Sequence, residues 1–160
     1  MSIEFSPEAK AKLEAVLADY PSRRHALLST LNLAQAEFGH VSPEVEDYVA
    51  GLLGVQPAVV REVSSFYTLL YTQPVGRHIL LVCRNLSCHI LGGQEILSYL
   101  EGKLGIKRGE TTADGRFTLL ESECLGACEM APMMELDDEY YGPLTKERVD
   151  KILGPLMETG

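Results

Sequence analysis

Residues 78–93 read HILLVCRNLSCHILGG, and this stretch decides the fold. Residues 78–82 form a continuous apolar run of strand length, with Gly76 ahead of it. Cys83 ends the run and Cys88 follows, so a C-x4-C pair sits at the C-terminal end of a strand. Downstream, Ile96, Leu97, Leu100 and Leu104 recur at helical spacing over Gln94 to Leu104, and Gly105 stops them. Asp114-Gly115 is a turn signal. Phe117 to Leu120 and Met133 to Leu136 read as strands, the second followed by an acidic turn and Tyr140-Tyr141. Thr145 caps a last helix through Leu156, with Val149, Ile152 and Leu153 on one face. The order β-α-β-β-α predicts a small mixed sheet with helices on its faces.

Upstream of Pro74-Val75-Gly76 the period is helical. Ser6-Pro7-Glu8 is a start signal: a hydroxyl cap, proline at the first helical position, then an acid. Leu13, Val16 and Leu17 follow at helical spacing, and Pro21 ends the run. A second helix is expected from Arg24 to Phe38, with Leu27, Leu28, Leu31, Leu33 and Ala34 as its stripe and Gly39 after it. Ser42-Pro43-Glu44 starts a third helix through Leu53, and a fourth spans Pro57 to about Tyr67. The chain is therefore read as α/β in two parts: a helical bundle over 1–75 and an α/β domain over 76–160. Phe66 and Tyr67 are read as reaching a partner or, by preference, as buried in the bundle.

The second cysteine pair is C-x3-C, Cys124 and Cys128 in CLGAC, just after the strand at 117–120. Both pairs fall in loops leaving parallel-type strands, where α/β folds build sites. Four readings compete. Disulfides suit an oxidising compartment, and the N-terminus MSIEFSPEAK lacks the basic start and apolar stretch of a secretory leader. Four unrelated core thiols fit poorly with paired spacing. A structural zinc site is the serious rival, since zinc favours C-x2-C knuckles but accepts spacings up to four. A [2Fe–2S] cluster takes two thiolates on each iron, so a two-plus-two set suits it. The bacterial C-x2-C-x2-C run and the full plant-type pattern are absent, and His89 beside Cys88 is read as a loop or partner-facing residue. His25, His40 and His78 are scattered and read as solvated or satisfied. Gly126, midway between Cys124 and Cys128, frees the backbone to turn N–H groups toward sulfur, and Gly92-Gly93 can open a helix beside the centre. Ordinary turn chemistry accounts for both equally well.

Composition excludes several classes. Hydrophobic residues make up 46% of the chain, enough for a packed core, and the net charge is −9. No basic patch with interleaved aromatics points to nucleic acid. No apolar run approaches the ~18 residues a membrane span needs, so direct membrane insertion is not expected. No G-x-G-x-x-G, Walker loop, C-x-x-C or catalytic triad is present. A one-electron centre without a substrate pocket points to electron relay, with the substrate bound on a partner. Seven carboxylates lie between Glu121 and Glu139 with no Lys or Arg among them. They are either a solvated face or, by repelling the extra negative charge of a reduced cluster, a cause of low potential.

The stretches SSFYTLLYTQPVGRHILLVCRNLSCHILGG and LGIKRGETTADGRFTLLESECLGACEMAP, with the N-terminal helices, resemble the E subunit family of bacterial NADH:quinone oxidoreductase, respiratory complex I. The resemblance covers nearly the whole chain. It implies a helical bundle followed by a thioredoxin-like ferredoxin domain, and a [2Fe–2S] cluster on Cys83, Cys88, Cys124 and Cys128. It implies pairing with the subunit that binds NADH and FMN, contact with other complex I subunits, and a cytoplasmic place on the inner face of the membrane through the complex. It also implies a cis peptide at Ala131-Pro132. The same pattern serves NAD-linked hydrogenases and formate dehydrogenases, and a zinc-stapled adaptor and a thiol–disulfide oxidoreductase stay open beside them. The chain departs from the family pattern at Asp137, where Asn is frequent, at Glu62 and at His40.

Overall fold

The computed structural model describes residues 3–158. Met1 and Ser2, which open the stretch read above as lacking a leader, lie outside the described residues. The chain divides into two compact units, the boundary in sequence falling between Pro74 and Val75.

The first unit is helical: α1 (Pro7–Ala18), α2 (Leu27–Phe38), α3 (Pro43–Leu53) and α4 (Pro57–Phe66). The start signals work as read. Ser6 Oγ accepts from the Ala9 N–H at 3.1 Å and Ser42 Oγ from the Val45 N–H at 3.3 Å, each filling an orphan donor of the first turn. The second helix begins later than its pattern suggests, because Arg23–Ala26 forms a 3-10 turn before it. Leu31, Val41, Val45, Val49 and Val60 are fully buried, each burial stabilising by roughly 1.5–3 kcal/mol. Thr30 joins that interior by donating its hydroxyl to the Ala26 carbonyl at 2.9 Å. Glu46 is buried as well, and its carboxylate is fully partnered: Ser64 Oγ donates at 2.5 Å and Arg61 Nε at 2.9 Å.

Phe66 and Tyr67 are not core residues. Phe66 is 75% exposed and Tyr67 44%. The buried stripe of α4 runs through Val60 and Ser64, and at about 100° per residue Phe66 falls well off it. The helix ends at Phe66 with Tyr67 as its C-cap, and the chain beyond is held by Gln35, whose side chain donates to the Leu69 carbonyl at 2.8 Å and accepts from the Tyr71 N–H at 2.6 Å. That clamp turns Leu70 inward and leaves Leu69 outside.

The second unit is a four-stranded sheet in the order β2-β1-β3-β4. Its strands are β1 (His78–Cys83), β2 (Phe117–Ser122), β3 (Met134–Leu136) and β4 (Glu139–Tyr141), with helices α5 (Leu86–Ile90), α6 (Gly93–Leu104) and α7 (Lys146–Glu158). β1 and β2 are parallel, while β3 pairs antiparallel with both β1 and β4, so the sheet is mixed as expected. Leu80 and Val82 share one face and join Ile96, Leu97 and Leu100 of α6, Phe117 and Leu119, and Val149 and Leu153 of α7 in one core. Side chains alternate along a strand, so Cys83 belongs to the other face and heads a smaller cluster with Cys88, Ala127, Ala131 and Met133.

Two elements depart from the pattern-based reading. The C-x4-C segment holds a short helix, α5, rather than an open loop. The acidic turn is the two-residue loop of a β3–β4 hairpin, with Asp137 and Asp138 at φ 52° and 67°. A tight hairpin whose two loop residues both take positive φ accepts Asp readily. Asp137 is held further from β1: its carboxylate accepts from the Ile79 N–H at 3.0 Å and meets His78 Nδ1 at 2.5 Å. Among the described residues no helix is long and apolar enough to cross a membrane.

Candidate metal centre

The parallel ladder of β1 and β2 ends with Cys83 opposite Ser122. Cys83 is the last residue of its strand, and its N–H donates to the Met133 carbonyl at 3.2 Å. Asn85 then starts α5, its side chain accepting from the Leu86 N–H at 2.7 Å. One turn of helix carries Cys88 back beside Cys83, and both are buried, at 2% and 5% exposure. α6 begins immediately after, at Gly93, behind a left-handed Gly92. Gly93 is packed closely: a Cβ there would stand 2.8 Å from the Cys88 carbonyl oxygen and 3.4 Å from that of Cys83.

The second pair leaves β2. Cys124 is exposed, and Gly126, at φ 76°, turns its N–H onto Cys124 Sγ at 3.4 Å. That is the hydrogen bond to sulfur expected of this glycine. Cys128 opens the 3-10 turn Cys128–Met130 and is also exposed. Ala131-Pro132 is cis, as the resemblance implied, and Gly142-Pro143 is cis too.

All four thiols are free. Burial, then the hydrogen bond with Cys83, pushes the Cys88 thiol up to about 11, and charge on Cys83 and Cys128 acts in the same direction. Ala127, next to Cys128, packs in the same buried cluster as Cys83 and Cys88. An iron bound by Cys88 must displace a firmly held proton. The donor set is soft, all sulfur and grouped as two pairs, which fits a rhomb of two irons taking two thiolates each. Among the described residues, no three His, Cys, Asp or Glu side chains converge on a single ion position. His89 is exposed on α5, His25 meets Ser22 Oγ through Nδ1 at 2.7 Å, and His78 is partnered by Asp137.

The acidic stretch is less bare than its linear sequence. Arg108 donates to Glu121 at 3.0 Å and Arg84 pairs with Glu123. Both cations come from outside residues 121–139, which is why composition of the stretch alone missed them. The packing of Gly93 was equally invisible, although Asn85 ahead of Leu86 is a cap signal that could have revealed α5.

Fold and donors together define a class: an α/β protein presenting four cysteine thiols where two adjacent parallel strands end. The chain belongs to the thioredoxin-like [2Fe-2S] ferredoxin family, whose profile matches residues 13–157. It is 48% identical to the second E-type subunit of NADH-quinone oxidoreductase from Rhizobium meliloti (strain 1021) over 144 residues, 90% of this chain and 86% of that one. It is 38% identical to the E-type subunit of NADH-quinone oxidoreductase from Escherichia coli (strain K12), covering 95% and 92% of the two chains. Among solved structures, an NAD+-reducing [NiFe]-hydrogenase in the air-oxidized state shares the fold with a TM-score of 0.72 at 20% identity. That match covers 82% of this chain but only 22% of the hydrogenase chain.

Proposed function

We propose that this chain is the electron-transfer subunit of the NADH-oxidising module of an NADH:quinone oxidoreductase, holding one [2Fe–2S] cluster on Cys83, Cys88, Cys124 and Cys128 close to the FMN of a partner subunit. One observation carries the reading. Two cysteine pairs, distant in sequence, emerge from the same ends of neighbouring parallel strands in a chain of this ferredoxin family. The curated relatives that match over most of their length are subunits of that enzyme.

Each residue has a definable part. A bound [2Fe–2S] centre supplies one-electron chemistry. Cys83 and Cys88 hold their share of it away from water, and the β1–β2 ladder with the Met133 carbonyl fixes where Cys83 stands. Gly126 offers an N–H to Cys124, and a donor to a thiolate stabilises its negative charge. Residues 76–160 thus carry the centre, and residues 1–75 act as a docking bundle.

Two exposed apolar groups support a life in a complex. Leu86, Ile90 and Leu91 stand 69%, 71% and 58% exposed around the buried Cys88, and Phe66, Tyr67 and Leu69 are exposed on the helical unit. The partner proposed for them is the subunit that binds NADH and FMN, with the assembly peripheral on the cytoplasmic face of the membrane. The hydrogenase neighbour favours a second reading, the equivalent component of an NAD-linked hydrogenase.

Ligand replacement tests the proposal. Cys124→Ser is expected to weaken or abolish the dithionite-reduced EPR signal, and His89→Ala to leave it intact. Loss of the signal with His89→Ala would refute the ligand set. Purification of the native complex, with quinone-module membrane subunits or with hydrogenase subunits, separates the two enzymes.

A further inference from the structure

One ion pair joins the two cysteine loops. The β1–β2 ladder ends with Cys83 opposite Ser122, and the Arg84 N–H extends it by donating to the Ser122 carbonyl at 3.0 Å. The next residues along, Arg84 and Glu123, meet through Nη2 and Oε1. Arg84 directly follows one cysteine of the set, and Glu123 directly precedes another. Their side chains are 52% and 75% exposed, and an ion pair so exposed adds little to fold stability. Its position is its significance. Residues 121–139 contain seven carboxylates and no Lys or Arg, so Arg84 is the cation that the first cysteine loop lends to the second.

We propose that Arg84 and Glu123 are positioning residues of the tetrathiol centre, a charge pair that ties the two loops together and balances the stability of the reduced state. The inference rests on the [2Fe–2S] reading above. Uptake of one electron adds one negative charge to the centre. The cation beside Cys83 lowers the energy of that state and the carboxylate beside Cys124 raises it, by Coulomb's law. A pair that served only as a tether would respond alike to loss of either partner. A charge pair responds in opposite directions.

The test is a redox titration of the full-length chain reconstituted with iron and sulfide, followed by EPR with dithionite as the electron source. Iron and sulfide are counted for the wild type and for Arg84→Lys, Arg84→Gln, Glu123→Gln and the double variant Arg84→Gln/Glu123→Gln. The midpoint is expected to fall in Arg84→Gln, rise in Glu123→Gln, and return near the wild-type value in the double variant. Arg84→Lys stays closer to wild type than Arg84→Gln, and all the differences shrink at high salt. Shifts in one common direction, or no shift with full iron and sulfide, overturn the proposal. If Arg84→Gln retains no cluster, Glu123→Gln decides alone, and an unchanged or lowered midpoint there is fatal. A wild-type chain without two irons and two sulfides overturns the cluster reading itself, and this inference with it.

Discussion

A Cβ placed on Gly93 would stand 2.8 Å from the carbonyl oxygen of Cys88. It would also lie 3.0 Å from the Cys88 carbonyl carbon, so backbone rather than a pliable side chain fills the space. The first residue of α6 is thus pressed against the helix that carries a proposed ligand. Gly93→Ala is expected to cost about 1–3 kcal/mol, the usual range for forcing atoms into a packed site, and to lower iron content. Gly102, in the same helix, has nothing within 4 Å of its Cβ position. Gly102→Ala should stabilise by about 0.4–1 kcal/mol and leave iron content unchanged. Thermal melts and iron analysis of the two variants check the contrast.

Glu135 gives a pH-dependent prediction. Burial, then the nearby Asp138, raises its carboxyl above the ordinary carboxylate range. The folded state therefore holds this proton more tightly than the unfolded state, and stability falls as pH rises from the unfolded pKa through the folded one. The cost is greatest above the folded pKa. Glu135→Gln is expected to raise the melting temperature at pH 7, with the gain shrinking to nothing below the ordinary carboxylate pKa. A gain that persisted in acid would contradict this electrostatic origin.

Within the helical unit, Glu46 links α3 to α4 through Ser64 and Arg61. Glu46→Ala leaves the buried Ser64 hydroxyl and the exposed Arg61 guanidinium without their acceptor, and should cost roughly 1–3 kcal/mol in a denaturant titration, chiefly through Ser64. Glu46→Gln keeps an acceptor for Ser64 and should lose less. Neither change is expected to alter iron content, because all four proposed ligands belong to the second unit.

The apolar side chains of α5 predict a binding effect without a folding effect. Leu86 and Ile90 are exposed, so Leu86→Ser and Ile90→Ser should leave the melt and the iron content unchanged. If a partner covers them, each loses about 1.5–3 kcal/mol of burial, a weakening of roughly tenfold or more in association with the NADH- and FMN-binding subunit. Titration calorimetry, or co-purification at graded concentration, reads this directly.

Long periodic signals in the sequence translated well into structure. Ser6-Pro7 and Ser42-Pro43 announced helices whose hydroxyl caps are present, and Gly39, Gly54 and Gly105 end helices in the left-handed conformation. The apolar run after Gly76 became the central strand β1, because a strand buried by neighbours on both edges leaves little room for polar residues. Short or tertiary features were not legible. α5 has five residues, too few for a period to emerge. β4 is three residues long and reads as turn chemistry until β3 is placed beside it. Core burial fails for Phe66, leaving the partner-facing reading, because hydrophobicity alone does not say which side of a helix faces inward. Of the proposed site, the four candidate thiols and the Gly126 turn are legible from spacing. The Arg84–Glu123 contact depends on the β1–β2 pairing, and the crowding at Gly93 on how closely α5 folds back against the start of α6.

The most direct measurement is iron, acid-labile sulfide and zinc per chain in anaerobically purified full-length protein, with an EPR spectrum after dithionite. Two irons, two sulfides and a single spin-half signal are predicted for a [2Fe–2S] centre on four thiolates. One zinc with no sulfide would contradict the account and make the four cysteines a structural staple.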